Sequence, residues 1–301
     1  VYCLDANTGD ELWTAMGPRG HATVTVKDGH VYALSDNRIL YCYDAENGDL
    51  VWETEQMPKP EPHAAVTGSP VIWQDLVIVN IGGGCAIRRE SGEFEWKFEG
   101  YHGLATPVLF TFKGKPAVAI FLGDQLIARD CRTGEDLWSI PWKTSPGNNA
   151  CDPVFIEDDS KMFLCTRYGK GIALYEIASG DPKELWYHRD QAHVYASGSW
   201  HKGTLYAFAA NFQKLDLETG EILWDKWKSP MADSALFLGD YIVLTTEQGE
   251  VVIGKATEEK FEELNRAQVH VPQVRNVPAY WQGKLYLRNQ KGGLVCAKIG
   301  K

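Results

Sequence analysis

The chain has 301 residues, a formal net charge of −10 and 44% hydrophobic residues, and it contains eleven tryptophans. The acidic balance and the lack of a basic cluster exclude nucleic acid as an expected partner. No apolar run is long enough for a membrane-spanning helix, so we expect no transmembrane segment. The seven cysteines are an odd number without a Cys-x-x-Cys pair, so we predict no metal site.

The first thirteen residues form a unit that recurs along the chain. Tyr2 and Leu4 alternate with polar or small residues as in a half-buried strand, and Gly9 lies in a tight turn before the next strand. The unit ends in tryptophan, and full or shortened copies end at Trp13, Trp52, Trp96, Trp138, Trp186 and Trp224. These tryptophans are 39, 44, 42, 48 and 38 residues apart, and a degenerate seventh copy places Leu264 at the same position.

A repeat of this length with four short strands per unit predicts an all-β fold, a β-propeller of four-stranded antiparallel blades. We name the strands of a blade A, B, C and D from the axis outward, so the repeated unit joins C to D. A single blade cannot bury both faces of its sheet, and blades therefore stack face to face around an axis. We predict that the six tryptophans are structural and fill the gaps between adjacent blades.

In chain order, the whole of 1–301 is predicted to be a single propeller domain. Residues 1–16 supply a C and a D strand, six full blades lie within about 21–266, and A, B and C strands lie within 277–299. Two ring plans fit. In a seven-bladed ring, residues 11–14 complete the last blade as its D strand. In the favoured eight-bladed ring, residues 1–16 are the outer half of a blade whose A and B strands preceded Val1, so we expect a truncated or processed chain.

Candidate binding residues gather in the connectors that lead from strand D of one blade to strand A of the next. In a propeller these D–A connectors converge on one mouth of the central channel, whereas the short acidic C–D turns point apart. The predicted ligand-binding residues at this mouth are Arg19, His21, His63, Thr67, Tyr101, His102, Asn148, Asn149, Asp152, His193, Tyr195, Asp233, His270 and Arg275. Five are histidines, which predicts binding that depends on pH near about 6–7.

The repeated phrase Leu-Asp-Ala-x-Thr-Gly-x-x-x-Trp, clearest at 4–13 and 215–224, resembles the hallmark of the PQQ-like, or quinoprotein-type, β-propeller repeat family. The order of features is most similar to bacterial BamB-like propellers. This resemblance implies a non-enzymatic binding or scaffolding propeller that presents its channel mouth and loops to a protein or small ligand. It also implies a periplasmic or other extracytoplasmic location and no cofactor, although the chain contains no targeting segment.

The same resemblance carries an alternative, a PQQ- and calcium-dependent quinoprotein dehydrogenase. That function would imply a quinone held against a tryptophan at the axis. Calcium would be bound by carboxylate and amide oxygens, for which Asp152, Asn148, Asn149 and Asp233 are the candidates near the mouth. The catalytic base would be Asp152 or Asp233. Those enzymes often carry two adjacent cysteines, and no two cysteines are adjacent here.

Overall fold

Short apolar segments separated by glycine-containing turns form strands β1 to β29 in the computed structural model. It describes residues 1–17, 19–58, 66–145, 147–191, 196–208, 212–225, 232–269, 277–289 and 292–299, except for the side chains of 232 and 233. Within each sheet, strands that follow one another in the sequence pair antiparallel, because short turns can join only antiparallel strands. The chain is therefore an all-β propeller of four-stranded antiparallel blades.

Six sheets contain four strands each, and we number them as blades one to six. Blades one to three comprise β3 (Thr25–Lys27), β4 (His30–Leu34), β5 (Leu40–Asp44), β6 (Leu50–Glu53); β7 (Val71–Trp73), β8 (Leu76–Val79), β9 (Cys85–Arg88), β10 (Phe94–Lys97); β11 (Val108–Phe112), β12 (Lys115–Phe121), β13 (Gln125–Asp130) and β14 (Asp136–Pro141). Blades four to six comprise β15 (Val154–Ile156), β16 (Lys161–Thr166), β17 (Gly171–Glu176), β18 (Lys183–His188); β19 (Ser199–His201), β20 (Thr204–Phe208), β21 (Phe212–Leu215), β22 (Ile222–Trp224); β23 (Ala232–Leu238), β24 (Tyr241–Thr246), β25 (Glu250–Ala256) and β26 (Phe261–Gln268).

The first strand of each blade is the innermost. Strand β7 contacts both β3 and β11, and β15 contacts β19, so the first strands of successive blades stand side by side around the axis. Each blade then runs outward through its second, third and fourth strands. The segment after Thr257, which on local sequence could begin a helix, is a turn followed by β26.

The apolar core lies between blades, because each sheet must cover both of its faces. All four residues of β8 are fully buried. Phe110 and Trp138 of blade three pack with Met162 and Leu164 of blade four in one continuous cluster. Burying a side chain of this size stabilises a fold by about 1.5–3 kcal/mol, so the blade-to-blade faces hold the ring together.

Two smaller sheets complete the described strands. Blade seven has three strands, β27 (Ala279–Trp281), β28 (Lys284–Arg288) and β29 (Leu294–Lys298), and an N-terminal hairpin has β1 (Tyr2–Leu4) and β2 (Glu11–Thr14). The hairpin lies between blades seven and one. The ammonium group of Lys284 donates to Asn7 Oδ1 at 2.8 Å, and the indole of Trp13 donates to the Ala45 carbonyl at 3.0 Å.

The preference for eight blades is not supported. The described strands make six complete blades and a seventh of three strands, and the N-terminal hairpin has no inner strands of its own. The proposed completion of the last blade by residues 11–14 is also wrong. Within the described residues β2 pairs only with β1, because the antiparallel hairpin satisfies that edge. Without a fourth strand to cover it, Cys296 of β29 is exposed, whereas the corresponding Cys42 is buried.

The fourth strands share one irregularity that positions the tryptophans. In the hairpin and blades one to five, the residue before each repeat tryptophan is bulged out of the pairing with the third strand. In blade six the same bulge falls at Leu264, and Asn265 pairs with Ile253. The prediction that Leu264 replaces the tryptophan is therefore wrong by one residue. Leu264 is 50% exposed, because a bulged residue points away from the neighbouring blade.

Candidate functional site

The repeated C–D turns satisfy their own polar groups. Asp5 Oδ1 accepts hydrogen bonds from the amides of Asn7 and Thr8, both at 2.8 Å, and Asp216 accepts from the amides of Glu218 and Thr219. These bonds stabilise the carboxylate form, so the amides lower the pKa of both Asp5 and Asp216. The repeated geometry of these turns is therefore explained by backbone capping and does not require a ligand.

The repeat tryptophans lie in the seams between blades. Five indole N–H groups donate to a carbonyl in the next C–D turn, from Trp13 to Ala45, Trp52 to Arg89, Trp96 to Cys131, Trp186 to Leu217 and Trp224 to Thr257. Four of these rings also cover the glycine of that turn, at Gly48, Gly92, Gly134 and Gly220. The glycine thus allows both the positive φ of the turn and the close packing of the tryptophan ring, because a Cβ atom there would overlap the ring.

Trp138 is the exception among the six. Its side chain is buried, but its Nε1 atom has no hydrogen-bond partner among the described residues. The hairpin of blade four is longer than those of its neighbours: Trp186 comes twelve positions after its partner Leu174, whereas Trp138 comes ten positions after Ala128. The longer turn carries Gly180 away from the indole, and Gly180 lies beside Lys113 instead.

A belt of hydrogen bonds joins the inner ends of the blades, where the sequence places the channel mouth. Its members stand two residues before the first strand of blades one to five, namely Thr23, Ser69, Thr106, Asp152 and Ser197. The amide of each donates to the side-chain oxygen of the next, at 3.1 Å, 3.2 Å, 2.8 Å and 2.7 Å in that order. We call these five residues the inner belt. They close four successive seams next to the axis.

Sequence reasoning singled out only Asp152 of the inner belt. The signal that could have found the others is a short polar residue before the inner strand, as in Ser69-Pro70-Val71, Thr106-Pro107-Val108 and Asp152-Pro153-Val154. The proline removes one backbone donor and holds the chain extended. The oxygen of the preceding residue is then available to the neighbouring blade.

Asp152 is the one carboxyl group of the inner belt. Its Oδ1 accepts the Thr106 amide at 2.8 Å. Burial among the inner strands disfavours the charged form and raises the pKa of this carboxyl to about 6, although the amide of Thr106 opposes the shift. The other four members carry hydroxyl groups, which do not titrate here. Asp152 therefore makes this region of the propeller sensitive to pH.

Asp152→Asn is expected to make stability less dependent on pH. The folded protein holds the Asp152 proton up to about pH 6, whereas the unfolded chain loses it near the ordinary value of 3.8. The parent should therefore lose up to about 3 kcal/mol of stability as the pH rises from 4 to above 6, and the variant should not. Asparagine keeps the oxygen that accepts the Thr106 amide. Urea unfolding at pH 4, 6 and 7.5 measures the difference.

Asp216→Asn is the matched control, with the opposite sign. The pKa of Asp216 is lowered by the amide of Thr219, so its contribution is present at neutral pH and is lost as the pH falls below its ordinary value. Parallel pH profiles for the parent and Asp152→Asn would show that the carboxyl is not desolvated in the folded protein.

Several predicted mouth residues are buried or engaged in structural hydrogen bonds. Asn149 is fully buried, and its Nδ2 donates to the carbonyls of Leu122 at 2.6 Å and Trp142 at 3.0 Å, while its Oδ1 accepts the Thr144 hydroxyl. Thr67 donates its hydroxyl to the Leu104 carbonyl of the next blade at 2.6 Å. His102 is 1% exposed, so its imidazole is closed off from solvent.

Other predicted residues are closer to solvent. His21 is exposed and its Nδ1 lies 3.2 Å from Asp36 Oδ1, and Arg19 is exposed beside it. Asn148 is half-buried, and the half-buried ring of Tyr101 packs over two glycines. The remaining predicted mouth residues lie outside the described residues, namely His63, His193, Tyr195, His270 and Arg275, together with the side chain of Asp233. The predicted ring of five histidines is therefore described only at His21 and His102.

Two of the four candidate calcium ligands near the mouth, Asn149 and Asp152, do not fit a calcium-bound quinone. Calcium takes six to eight oxygen ligands, but the Asn149 oxygen already accepts a hydroxyl and its amide group is fully buried. The Asp152 oxygen accepts a backbone amide. Where the chain is described, no group of three or more His, Cys, Asp or Glu side chains is placed to hold a metal ion. In the same residues, no helix is long and apolar enough to cross a membrane.

Comparison with known proteins places this architecture in a family. Outer membrane protein assembly factor BamB of Yersinia pestis is 24% identical over 240 residues, which are 75% of this chain and 51% of that protein. Quinohemoprotein alcohol dehydrogenase ADH-IIG of Pseudomonas putida is 25% identical over 274 residues, which are 83% of this chain and 33% of that protein. The chain thus spans about half and about a third of the length of these two relatives.

The fold agrees with this assignment. The crystal structure of BamB from Moraxella catarrhalis superposes with a TM-score of 0.74 at 17% identity and covers 97% of this chain and 87% of that one. A family model described as outer membrane protein assembly factor BamB matches residues 1–226. Together with the repeated Asp, Gly and Trp positions, this match shows that the chain belongs to the BamB family of PQQ-like β-propeller proteins.

Proposed function

We propose that the chain is a non-enzymatic binding platform in outer-membrane protein assembly, acting outside the cytoplasm. One observation carries the proposal. Among the described residues, polar groups that an enzyme would need at the channel mouth are engaged in structural hydrogen bonds, between blades in the inner belt and to blade three at Asn149. A ring built in this way offers a rigid frame, and its variable connectors are left to recognise a partner.

The partner is proposed to bind the D–A face. The C–D turns use their carboxylates to cap their own amides, which leaves few of those groups available for recognition. The D–A connectors differ from blade to blade and place Arg19 and His21 in solvent. A protein partner is proposed, since the matching family model is that of an outer membrane protein assembly factor.

The quinoprotein alternative has one observation in its favour, the 25% identity to an alcohol dehydrogenase. The positions of Asn149 and Asp152 argue against it. Moving the Asn149 oxygen to a metal would break its bond to Thr144, and would disturb a buried group that donates to two carbonyls. A buried polar group that loses its partner costs about 1–3 kcal/mol.

Photo-cross-linking tests the proposed face. A photoreactive amino acid is placed at Arg19 or Asn148 on the D–A face, and at Glu46 or Glu218 in the C–D turns as matched controls. Each protein is irradiated with detergent-solubilised outer-membrane proteins from the bacterium that encodes the chain. We expect one discrete adduct from the first pair, identified by mass spectrometry as an outer-membrane assembly component, and none from the second. Adducts from the C–D turns alone would assign binding to the opposite face.

A titration with PQQ and calcium separates the two functions. We expect no stoichiometric complex by absorbance or calorimetry, and no oxidation of primary alcohols with an artificial electron acceptor. A one-to-one complex that oxidises an alcohol would establish the quinoprotein function and overturn the scaffold proposal.

A further inference from the structure

Arginines bridge the outer seams between the first three blades. Arg89 of blade two donates to the Tyr32 hydroxyl at 3.1 Å and to Asp28 at 3.0 Å in blade one. Arg132 of blade three donates to Asp75 of blade two at 3.0 Å. Both arginines stand in a C–D turn, at or directly after the residue whose carbonyl accepts the tryptophan N–H. Each side chain fills the space between its turn and the A–B turn of the preceding blade.

The seam between blades five and six lacks such an arginine. Thr257 accepts the Trp224 N–H, and Glu258 follows it. The space is an open cavity of about 350 Å³ between the A–B turns of both blades and the C–D turn of blade six. Its lining includes Lys202, Lys214, Lys255, His201 and Tyr206. Three ammonium groups therefore surround one cavity in a chain whose net charge is −10.

Lys214 is unusual for its place in the repeat. It pairs directly with Trp224, at the position where blades one to four have Cys42, Ala86, Ala128 and Leu174. Only 8% of Lys214 is exposed. Its ammonium group contacts Glu258 Oε2 at 2.6 Å, but the Glu258 side chain is 93% exposed. A carboxylate so exposed is hydrated and screened, so it compensates a buried ammonium poorly.

The other two ammonium groups approach from different elements. Lys202 of blade five lies 2.5 Å from Asp240 of blade six, and both side chains are largely exposed. Lys255 forms no ion pair within the described residues, and its Nζ lies 4.7 Å from the centre of the Tyr241 ring. Lys255 is near enough to Asp240 to help lower the pKa of that carboxyl, but it forms no direct ion pair with it among the described residues, so its ammonium group remains available to a ligand.

We propose that this cavity binds a small molecule that carries a phosphate group. Lysine ammonium groups act as compact point charges that bind phosphate groups in proteins. The volume is within the range of small-molecule sites. The phosphate displaces the exposed Glu258 carboxylate from Lys214 and also faces Lys255. His201 and the Tyr206 ring flank the remainder of the ligand. The cavity is on the face opposite the D–A connectors, so this site is independent of the proposed function.

Calorimetric titration with inorganic phosphate and with glucose 6-phosphate tests the site, at an ionic strength kept constant with chloride. We expect saturable one-to-one binding, tighter for the phosphate ester if the sugar contacts Tyr206 and His201. Lys255→Met and Lys214→Met should each weaken it about tenfold or more, the loss expected for one charged hydrogen bond. Lys260→Met removes the same charge from the same turn outside the cavity and should leave binding unchanged. If Lys214→Met does not fold, Lys255→Met decides, since Lys255 makes no ion pair in the described chain.

A second pair of variants distinguishes a ligand site from a purely structural ion pair. Glu258→Gln removes the carboxylate that competes for Lys214 and should tighten phosphate binding, whereas Glu259→Gln, its exposed neighbour outside the cavity, should have no such effect. Binding that does not exceed the chloride control, or equal affinity for the parent and Lys255→Met, would overturn the proposal.

Discussion

Trp224→Ala is expected to lower the free energy of unfolding by about 3–5 kcal/mol, the range for truncation of a fully buried aromatic residue. The indole is 2% exposed. It packs against Phe212 and Tyr206 of its own blade, with ring centroids 5.8 Å and 6.3 Å away. Its N–H donates to the Thr257 carbonyl of blade six at 3.1 Å. Alanine leaves a cavity in the seam and a carbonyl without its donor. Chemical denaturation measures the loss.

Trp281→Ala is the matched control for this substitution. Trp281 ends β27, is 51% exposed, and is not one of the six repeat tryptophans. Its replacement should change stability by less than about 1 kcal/mol, as is usual for surface positions. Equal losses in both variants would show that burial in the seam is not what makes Trp224 important.

Gly134→Ala is expected to cost about 2–5 kcal/mol, because two separate penalties add. Gly134 has a φ of +73°, a conformation that costs a residue with a Cβ about 1–2 kcal/mol. A Cβ atom there would also lie 2.8 Å from Trp96 Cγ and 2.9 Å from Phe98 Cε2 of the preceding blade. Overpacking of this kind adds about 1–3 kcal/mol. The free energy of unfolding reports the sum.

Gly114→Ala separates the two penalties. Gly114 has nearly the same φ, +75°, but nothing lies within 4 Å of its hypothetical Cβ atom. We therefore expect only the conformational penalty of about 1–2 kcal/mol. If Gly134→Ala costs no more than Gly114→Ala, then Trp96 can move aside freely, and the repeated glycine is required for its backbone conformation alone.

Local sequence predicted the fold because the residues that shape each blade lie close together in the chain. The aspartate that caps the turn, the glycine with positive φ and the tryptophan ten residues after its strand partner all act within one hairpin or on the next. Such short-range determinants can be read from spacing alone. Leu264 shows the limit of spacing, since a longer hairpin in blade six moves the equivalent position to Asn265. Only the strand register reveals that shift.

The candidate mouth was less predictable, because a polar residue in a connector can be exposed to solvent, be buried or form hydrogen bonds within the protein. Asn149 and Thr67 were candidates for ligand binding, but Asn149 donates to the Leu122 carbonyl of blade three, and Thr67 donates to the Leu104 carbonyl across a seam. His102 is buried, whereas His21 is exposed beside Asp36. The sequence cannot distinguish these outcomes, because decisive partners lie far along the chain, 15 residues for His21 and Asp36, 27 for Asn149 and Leu122, and 37 for Thr67 and Leu104.

The sequence by itself determined the repeating four-stranded blades, the strand order within each and the chemistry of the C–D turns, since all of these depend on residues close together in the chain. Tertiary structure alone decided what happens between blades. It joined Thr106, Asp152 and Ser197 into the inner belt and raised the pKa of Asp152 by burial. It also left the seam of Lys214 open while arginines filled two others. Those results depend on packing between neighbouring blades, which no spacing within a single repeat encodes.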